Sequence, residues 1–197
     1  MSEISASQVK ELRERTGAGM MDCKRALQET GDMDAAVEWL RTKGAASAEK
    51  RASRETREGV VEAYIHHSKN VGVLLELNSE TDFVARTDEF QDLARDLAMH
   101  VAESDPIAVA PEDVPEDVVE RERAIFLAQV KEEGKPEHIA DVIVEGKLRK
   151  FFEESTLLKQ KFVKNPEISV EERIAETQGK LGEKIAVRRF ARFLLGQ

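Results

Sequence analysis

Cysteine is almost missing from this chain of 197 residues: Cys23 stands alone. A single thiol excludes any intrachain disulfide and fits a reducing compartment, where it packs as a small hydrophobe. Long apolar runs are missing too. No window approaches the roughly 20 residues of a membrane span, and the first residues, with Glu3, carry no apolar stretch of signal-peptide length. A cytoplasmic protein with no membrane partner is expected. Positive charge is in deficit, 30 Lys and Arg against 39 Asp and Glu for a net charge of -9. That balance argues against direct nucleic-acid binding, which needs clustered positive charge to neutralise phosphates. The deficit is uneven: residues 1–57 hold 11 basic and 10 acidic side chains, leaving 19 and 29 for the remainder.

Signatures of catalysis are scarce as well. Only His66, His67, His100 and His138 could supply imidazole. The first two are neighbours on a probable strand and would point to opposite faces, so a shared metal is not expected. Gly17 and Gly19 fail as a phosphate loop, because they follow a helix, lack a third glycine and are not succeeded by Gly-Lys-Ser/Thr. The chain is expected to bind no nucleotide itself and to hold no cofactor or metal. No Ser-His-Asp set or pair of unequal carboxylates stands out, and a non-enzyme is expected. A hydrolase hidden in the acidic segment from Glu112 to Glu122 stays open to test by substitution there.

What is present divides at about residue 55. Ser5 or Ser7 can cap a first helix with Val9 and Leu12 on its apolar face, and Thr16-Gly17-Ala18-Gly19 breaks it. Asp22 is a plausible cap for a second helix that turns Cys23, Ala26 and Leu27 inward and ends at Gly31. A third, from about Met33 to Lys43, buries Ala36, Val37 and Leu40 before Gly44. Of the adjacent Met20 and Met21, at most one can face inward easily, leaving the other as an adaptable contact. Ala45 to Arg57 is rich in alanine and charge without a broad apolar stripe, and reads as a solvated helical linker.

Residues 56–197 form the second region. Gly59–His67 and Val71–Leu77 are β-rich runs around Ser68-Lys69-Asn70, a hairpin pattern. A helix from Thr87 to Glu103 then sets Phe90, Leu93, Ala94, Leu97, Ala98 and Val101 on one stripe. Further helices are expected from Glu116 to Gly134, from Pro136 to Glu154 and from Val170 to Leu181. The second of these offers Ile139, Val142, Ile143, Leu148, Phe151 and Phe152 as a surface in need of a cover. Lys184 to Leu195 reads as a last strand whose alternation fails at Arg188-Arg189, which points to a bulge or a pairing edge. The fold class is α+β, a three-helix N-terminal domain joined by a helical linker to an antiparallel-sheet core packed with helices.

Between hairpin and helix lies Glu76 to Arg86, ELNSETDFVAR. Thr81, Asp82, Phe83 and Val84 set a carboxylate beside a large aromatic ring. Asp82 can accept hydrogen bonds from a partner's amides, and Phe83 can supply about 150–250 Å² of apolar contact. The alternative is structural: Ser79 and Asp82 resemble a capping box, with Phe83 turned inward on the hairpin.

ELNSETDFVAR resembles the second signature of the elongation factor Ts family, and Leu12 to Leu27, LRERTGAGMMDCKRAL, resembles its first. The resemblance implies an N-terminal ubiquitin-associated-like fold over residues 1–55 and a guanine-nucleotide exchange activity on elongation factor Tu with GDP. It places Thr81, Asp82, Phe83 and Val84 at the step that dislodges magnesium, puts Arg13, Thr16, Met20 and Met21 in contact with the partner's GTPase domain, and suggests His67 as a further contact. Longer members hold two related core halves where this chain has one, so a homodimer through the core and last strand is expected. Some short members carry a cysteine clamp in that strand. Ala191 stands there, and packing alone would hold such a dimer. An adaptor whose residues 1–55 alone carry all affinity remains a competing reading.

Overall fold

The computed structural model describes residues 4–196, with side chains of residues 44–52 and 137 set aside. In chain order it contains α1 (Ala6–Thr16), α2 (Met20–Thr30), α3 (Met33–Ala52), β1 (Glu58–Ile65), β2 (Val71–Ser79), α4 (Asp82–Ala85) and α5 (Asp88–Ser104). After a 3-10 turn at Pro111–Asp113 come α6 (Glu116–Glu132), α7 (Glu137–Ser155), β3 (Lys161–Phe162), β4 (Asn165–Ser169), α8 (Val170–Leu181) and β5 (Ile185–Leu194). The expected α+β class is found. Two compact units are distinguished. One takes the residues up to Glu62 with Glu76–Ala94 and Glu172–Val187, the other Ala63–Leu75, Arg95–Glu171 and the residues from Arg188 onward.

The three N-terminal helices enclose their own core. Ser5 caps α1 through a capping box with Gln8, and Gly17 ends it at φ 66°. That left-handed conformation costs a glycine little. Val9, Leu12, Cys23, Ala26, Leu27 and Ala36 are buried together. Burial pushes the Cys23 thiol pKa up, as suits a packed rather than a reactive sulfur.

Two expectations for this region are corrected. Gly19, not Asp22, occupies the cap position of α2, with no side-chain cap. Asp22 lies within the first turn, where its charge meets the helix dipole, and pairs with Lys43 at 2.6 Å. Nor does Gly44 stop α3, which runs on to Ala52. One interior glycine costs about 1 kcal/mol against alanine, too little to end a helix that continues into an alanine-rich run. Whether the side chains of that run are solvated lies outside the described residues.

The main sheet has the order β1-β2-β5. The N–H of His66 donates to Val71 O at 3.0 Å, closing the β1-β2 hairpin, and that of Leu195 donates to Asn70 O at 2.8 Å, so the end of β5 meets the start of β2. Both pairings are antiparallel in sense. On β2, Val73, Leu75, Leu77 and Ser79 are buried in strict alternation. The stripe on α5 is found as expected: Phe90, Leu93, Ala94, Leu97, Ala98 and Val101 are fully buried. Gly59 has φ 153°, and a Cβ there would lie 2.2 Å from the Leu77 carbonyl oxygen, so only glycine lets β1 approach β2 this closely.

In the second unit α6 covers α7. Val130, Ala140, Val144 and Leu148 are buried together, with Phe126, Leu127, Ile143 and Phe152 packed around them. Val142, expected on that surface, is instead 73% exposed. The buried positions 140, 144 and 148 recur every four residues, and residue 142 falls near the opposite side of the helix. His100 is buried against the β3 segment. It accepts the Val163 N–H at Nδ1, 3.2 Å, so its proton sits on Nε2, which donates to Gln160 Oε1 at 3.0 Å. Gln160 in turn donates to the carbonyls of Ser104 and Glu154. Burial pushes the His100 pKa down, opposed by its bond to Gln160. No helix among the described residues is long and apolar enough to cross a membrane.

Candidate functional site

The segment after β2 turns sharply because its polar side chains are spent on its own backbone. Ser79 is buried and its hydroxyl donates to Thr81 O at 2.9 Å. Thr81, in extended conformation, is the N-cap of α4, its hydroxyl oxygen accepting the Val84 N–H at 3.4 Å. The capping box expected between Ser79 and Asp82 is therefore not formed. Thr81 sits at the helix start, two residues on, and its own oxygen reaches the third amide. Ala85 is buried at the other end of this single turn, and the Thr87 hydroxyl donates to Val84 O at 2.8 Å while accepting the Phe90 N–H.

This turn leaves Phe83 on the outside. The ring is 80% exposed. It is not packed on the hairpin, and the inward alternative falls. Asp82 stands next to it, half-exposed, with its carboxylate 2.9 Å from Arg86 in an i, i+4 pair. Val84 is half-buried, and the Thr81 side chain is turned into the turn itself. A carboxylate and a bare aromatic ring thus share one turn, and a large exposed ring costs hydration unless another surface covers it.

Residues far along the chain hold this turn from below. Glu183 accepts the Thr81 N–H at 3.0 Å and the Thr81 hydroxyl at 2.7 Å. Glu80 accepts the Lys184 N–H at 2.6 Å, and Arg54 Nη1 lies 3.2 Å from both Glu80 oxygens. Sequence alone does not single out Glu80, Glu183 and Arg54, because no local pattern joins carboxylates to amides 102 or 104 residues away.

In the N-terminal helices Arg13, Met20 and Met21 are exposed. Thr16 is half-buried; its hydroxyl donates to Leu12 O at 2.7 Å and accepts the Ala18 N–H at 3.3 Å. That hydroxyl closes the α1-α2 turn. His67 lies beyond the end of β1, exposed in the hairpin turn, its ring centroid 4.0 Å from that of His66. Strand alternation therefore does not separate the two rings as expected, since neither residue lies on the strand. His66, rather than His67, lines a cavity of about 410 Å³ with Tyr64, Met99 and Glu103. Among the described residues no group of three or more His, Cys, Asp or Glu could hold a metal ion.

Comparison with known proteins places this geometry in context. Residues 45–197 match the family model described as elongation factor TS. Across 198 residues the chain is 56% identical to an elongation factor Ts from Desulfosudis oleivorans, covering all of both chains. It is 57% identical over 195 residues to that of Carboxydothermus hydrogenoformans, covering 98% of this chain and 90% of the relative. The protein of the same name from Thermosipho melanesiensis is 55% identical over 195 residues, 98% of this chain and 100% of the relative.

Proposed function

Because the chain belongs to the elongation factor Ts family, we propose that it is the guanine-nucleotide exchange factor for elongation factor Tu in translation elongation. It binds the GDP complex in the cytoplasm and promotes GDP release. Exchange of this kind is differential binding, not covalent chemistry. A protein that holds nucleotide-free elongation factor Tu more tightly than the GDP form must, by linkage, weaken GDP binding by the same factor. The observation that carries the reading is Phe83, bare beside Asp82 on a turn fixed at its base. An apolar wedge and an adjacent anion are suited to displacing packed elements of a GTPase and capturing the amides they expose. Moving elements that hold magnesium leaves the diphosphate charge uncompensated, and GDP leaves.

Residues 1–55 act as a second attachment in this reading. Exposed Arg13, Met20 and Met21 meet the GTPase domain, Thr16 shapes the turn that presents them, and His67 supplies a weaker contact from the core. Two attachments on one chain raise the effective concentration of each. A second copy of this chain covers the outer face of the hairpin and β5. There Ile65 lies over Gly72, and Leu74, Phe193 and Leu195 are exposed. An isologous pairing of that face would bury all of them at once. Light scattering on the purified chain tests it, a monomer at every concentration being the contrary result.

The exchange reading is tested by following release of a fluorescent GDP analogue from elongation factor Tu, with wild type, Asp82→Ala and Phe83→Ala. Both variants are expected to stay folded and to lose stimulated release. Release at the wild-type rate by folded Phe83→Ala overturns the assignment.

A further inference from the structure

We propose that Glu183 is a positioning residue for the Asp82-Phe83 protrusion, acting through Thr81; this rests on the exchange reading above. The need for such a residue follows from the length of α4. Four residues make one turn, which cannot hold its own conformation in water. Phe83, being exposed, gains no order from packing, and Asp82 meets only the exposed guanidinium of Arg86 among the ion pairs of the described residues. The direction in which this ring points must therefore be set at its base.

Every polar group of Thr81 is engaged there. Its N–H and hydroxyl donate to the two oxygens of one carboxylate, at 3.0 Å and 2.7 Å, and its carbonyl receives the hydroxyl of fully buried Ser79 at 2.9 Å. Its hydroxyl oxygen still accepts the Val84 N–H, so the order at Glu183 passes directly into the turn. A carboxylate receiving two donors in this fork makes charge-assisted bonds, stronger and more directional than neutral ones. Glu183 reaches Thr81 because Gly182, at φ 79°, ends α8 in a left-handed conformation and turns the chain into β5. The neighbouring residues return the contact: Lys184 donates its N–H to Glu80 at 2.6 Å and its ammonium to Arg54 O at 2.9 Å. The two chain segments are thus locked reciprocally, each giving a carboxylate to the other's backbone.

A positioning role and a merely structural one differ in what they change. Removing Glu183 leaves the docking chemistry of Asp82 and Phe83 intact and loosens only their direction. The loss should fall on the maximal rate of nucleotide release, where the wedge is seated, rather than on the concentration of half-saturation. Misplacement of a reacting group by about 1 Å can cost as much as about a hundredfold, so a loss of about tenfold or more is expected here.

The experiment measures fluorescent GDP release from elongation factor Tu against the concentration of full-length wild type, Glu183→Ala, Glu183→Gln, Phe83→Ala and the double variant Phe83→Ala/Glu183→Ala. Glu183→Ala is expected to lower the maximal rate with half-saturation within about twofold, and Glu183→Gln, which keeps shape and one acceptor, to recover part of it. In the Phe83→Ala background Glu183→Ala should cost nothing more, because it acts through the ring. Amide exchange at Val84 and Ala85, measured on the free protein, should quicken in Glu183→Ala. A wild-type maximal rate, a loss confined to half-saturation, or full additivity with Phe83→Ala overturns the proposal. Should Glu183→Ala fail to fold, Glu183→Gln carries the same test, with a wild-type rate and unchanged amide exchange as the overturning result. If Phe83→Ala itself releases GDP as wild type does, it is the exchange reading that falls.

Discussion

Phe83 and Phe90 lie seven residues apart in the same compact unit, and their side chains have opposite fates: one is 80% exposed, the other fully buried. Residue type does not separate them. Phe90 sits on α5 in register with Leu93, Ala94 and Leu97, three, four and seven residues on, and so falls on the buried stripe of that helix. Phe83 is carried by a single turn whose only buried member is Ala85. A ring on a long amphipathic helix is drawn inward by its neighbours, whereas a ring on a one-turn helix goes where its anchor points. Burial and exposure thus fall to two phenylalanines seven residues apart.

Substitution at the two rings gives the largest test of this contrast. Phe90→Ala is expected to lower unfolding free energy by about 3–5 kcal/mol, while Phe83→Ala should stay within about 0.5 kcal/mol of wild type in the same urea titration. Comparable losses at both positions would mean that Phe83 belongs to the core after all.

The hairpin that carries the protrusion belongs to the rigid side of the comparison, and Gly59 probes it. A methyl group there meets the Leu77 carbonyl at 2.2 Å in a backbone conformation unfavourable to other residues. Gly59→Ala should destabilise by about 2–3 kcal/mol. Full stability would show that the strands can separate without cost.

A smaller, pH-dependent effect comes from His100. Its folded-state pKa is held below its ordinary value by burial, so the unfolded chain binds a proton first as pH falls. Stability is then fully present above the unfolded pKa of about 6.5, declines below it, and levels off once pH passes the lower folded value. Protonation in place would also set a new Nδ1 hydrogen against the Val163 N–H. Urea midpoints at pH 7.5 and 5.5 check this, and His100→Gln should flatten the difference. An equal slope in that variant would move the cause elsewhere. A small effect is expected at Arg86. Its ion pair with Asp82 is largely exposed, 78% on the arginine side, and Arg86→Ala should change stability by less than about 1 kcal/mol.

Much of the fold was legible in periodicity. The α5 stripe, the strand over Val71–Leu77 and the stop of α8 at Gly182 all follow from local pattern, as does the broken phase of β5, where Arg188 and Arg189 are both exposed. Errors arose where local preference was weak against context. Gly44 lies inside α3, Gly19 rather than Asp22 caps α2, and Val142 falls off the buried side of α7 because helical residues two apart face different ways. At the candidate site, the signature residues were visible but their orientation was not. From residue chemistry alone Phe83 reads sooner as core than as contact, until Thr81, rather than Ser79, is seen to cap the turn.

By itself, then, the sequence determined the element types and the family, because spacing and side-chain chemistry are properties of the chain as written. Tertiary structure alone decided that the Phe83 ring is exposed and that the turn bearing it is tied down by Glu183 meeting Thr81 across 102 residues. A hydrogen bond of such range leaves no periodic trace, and only a folded backbone can bring its two ends together.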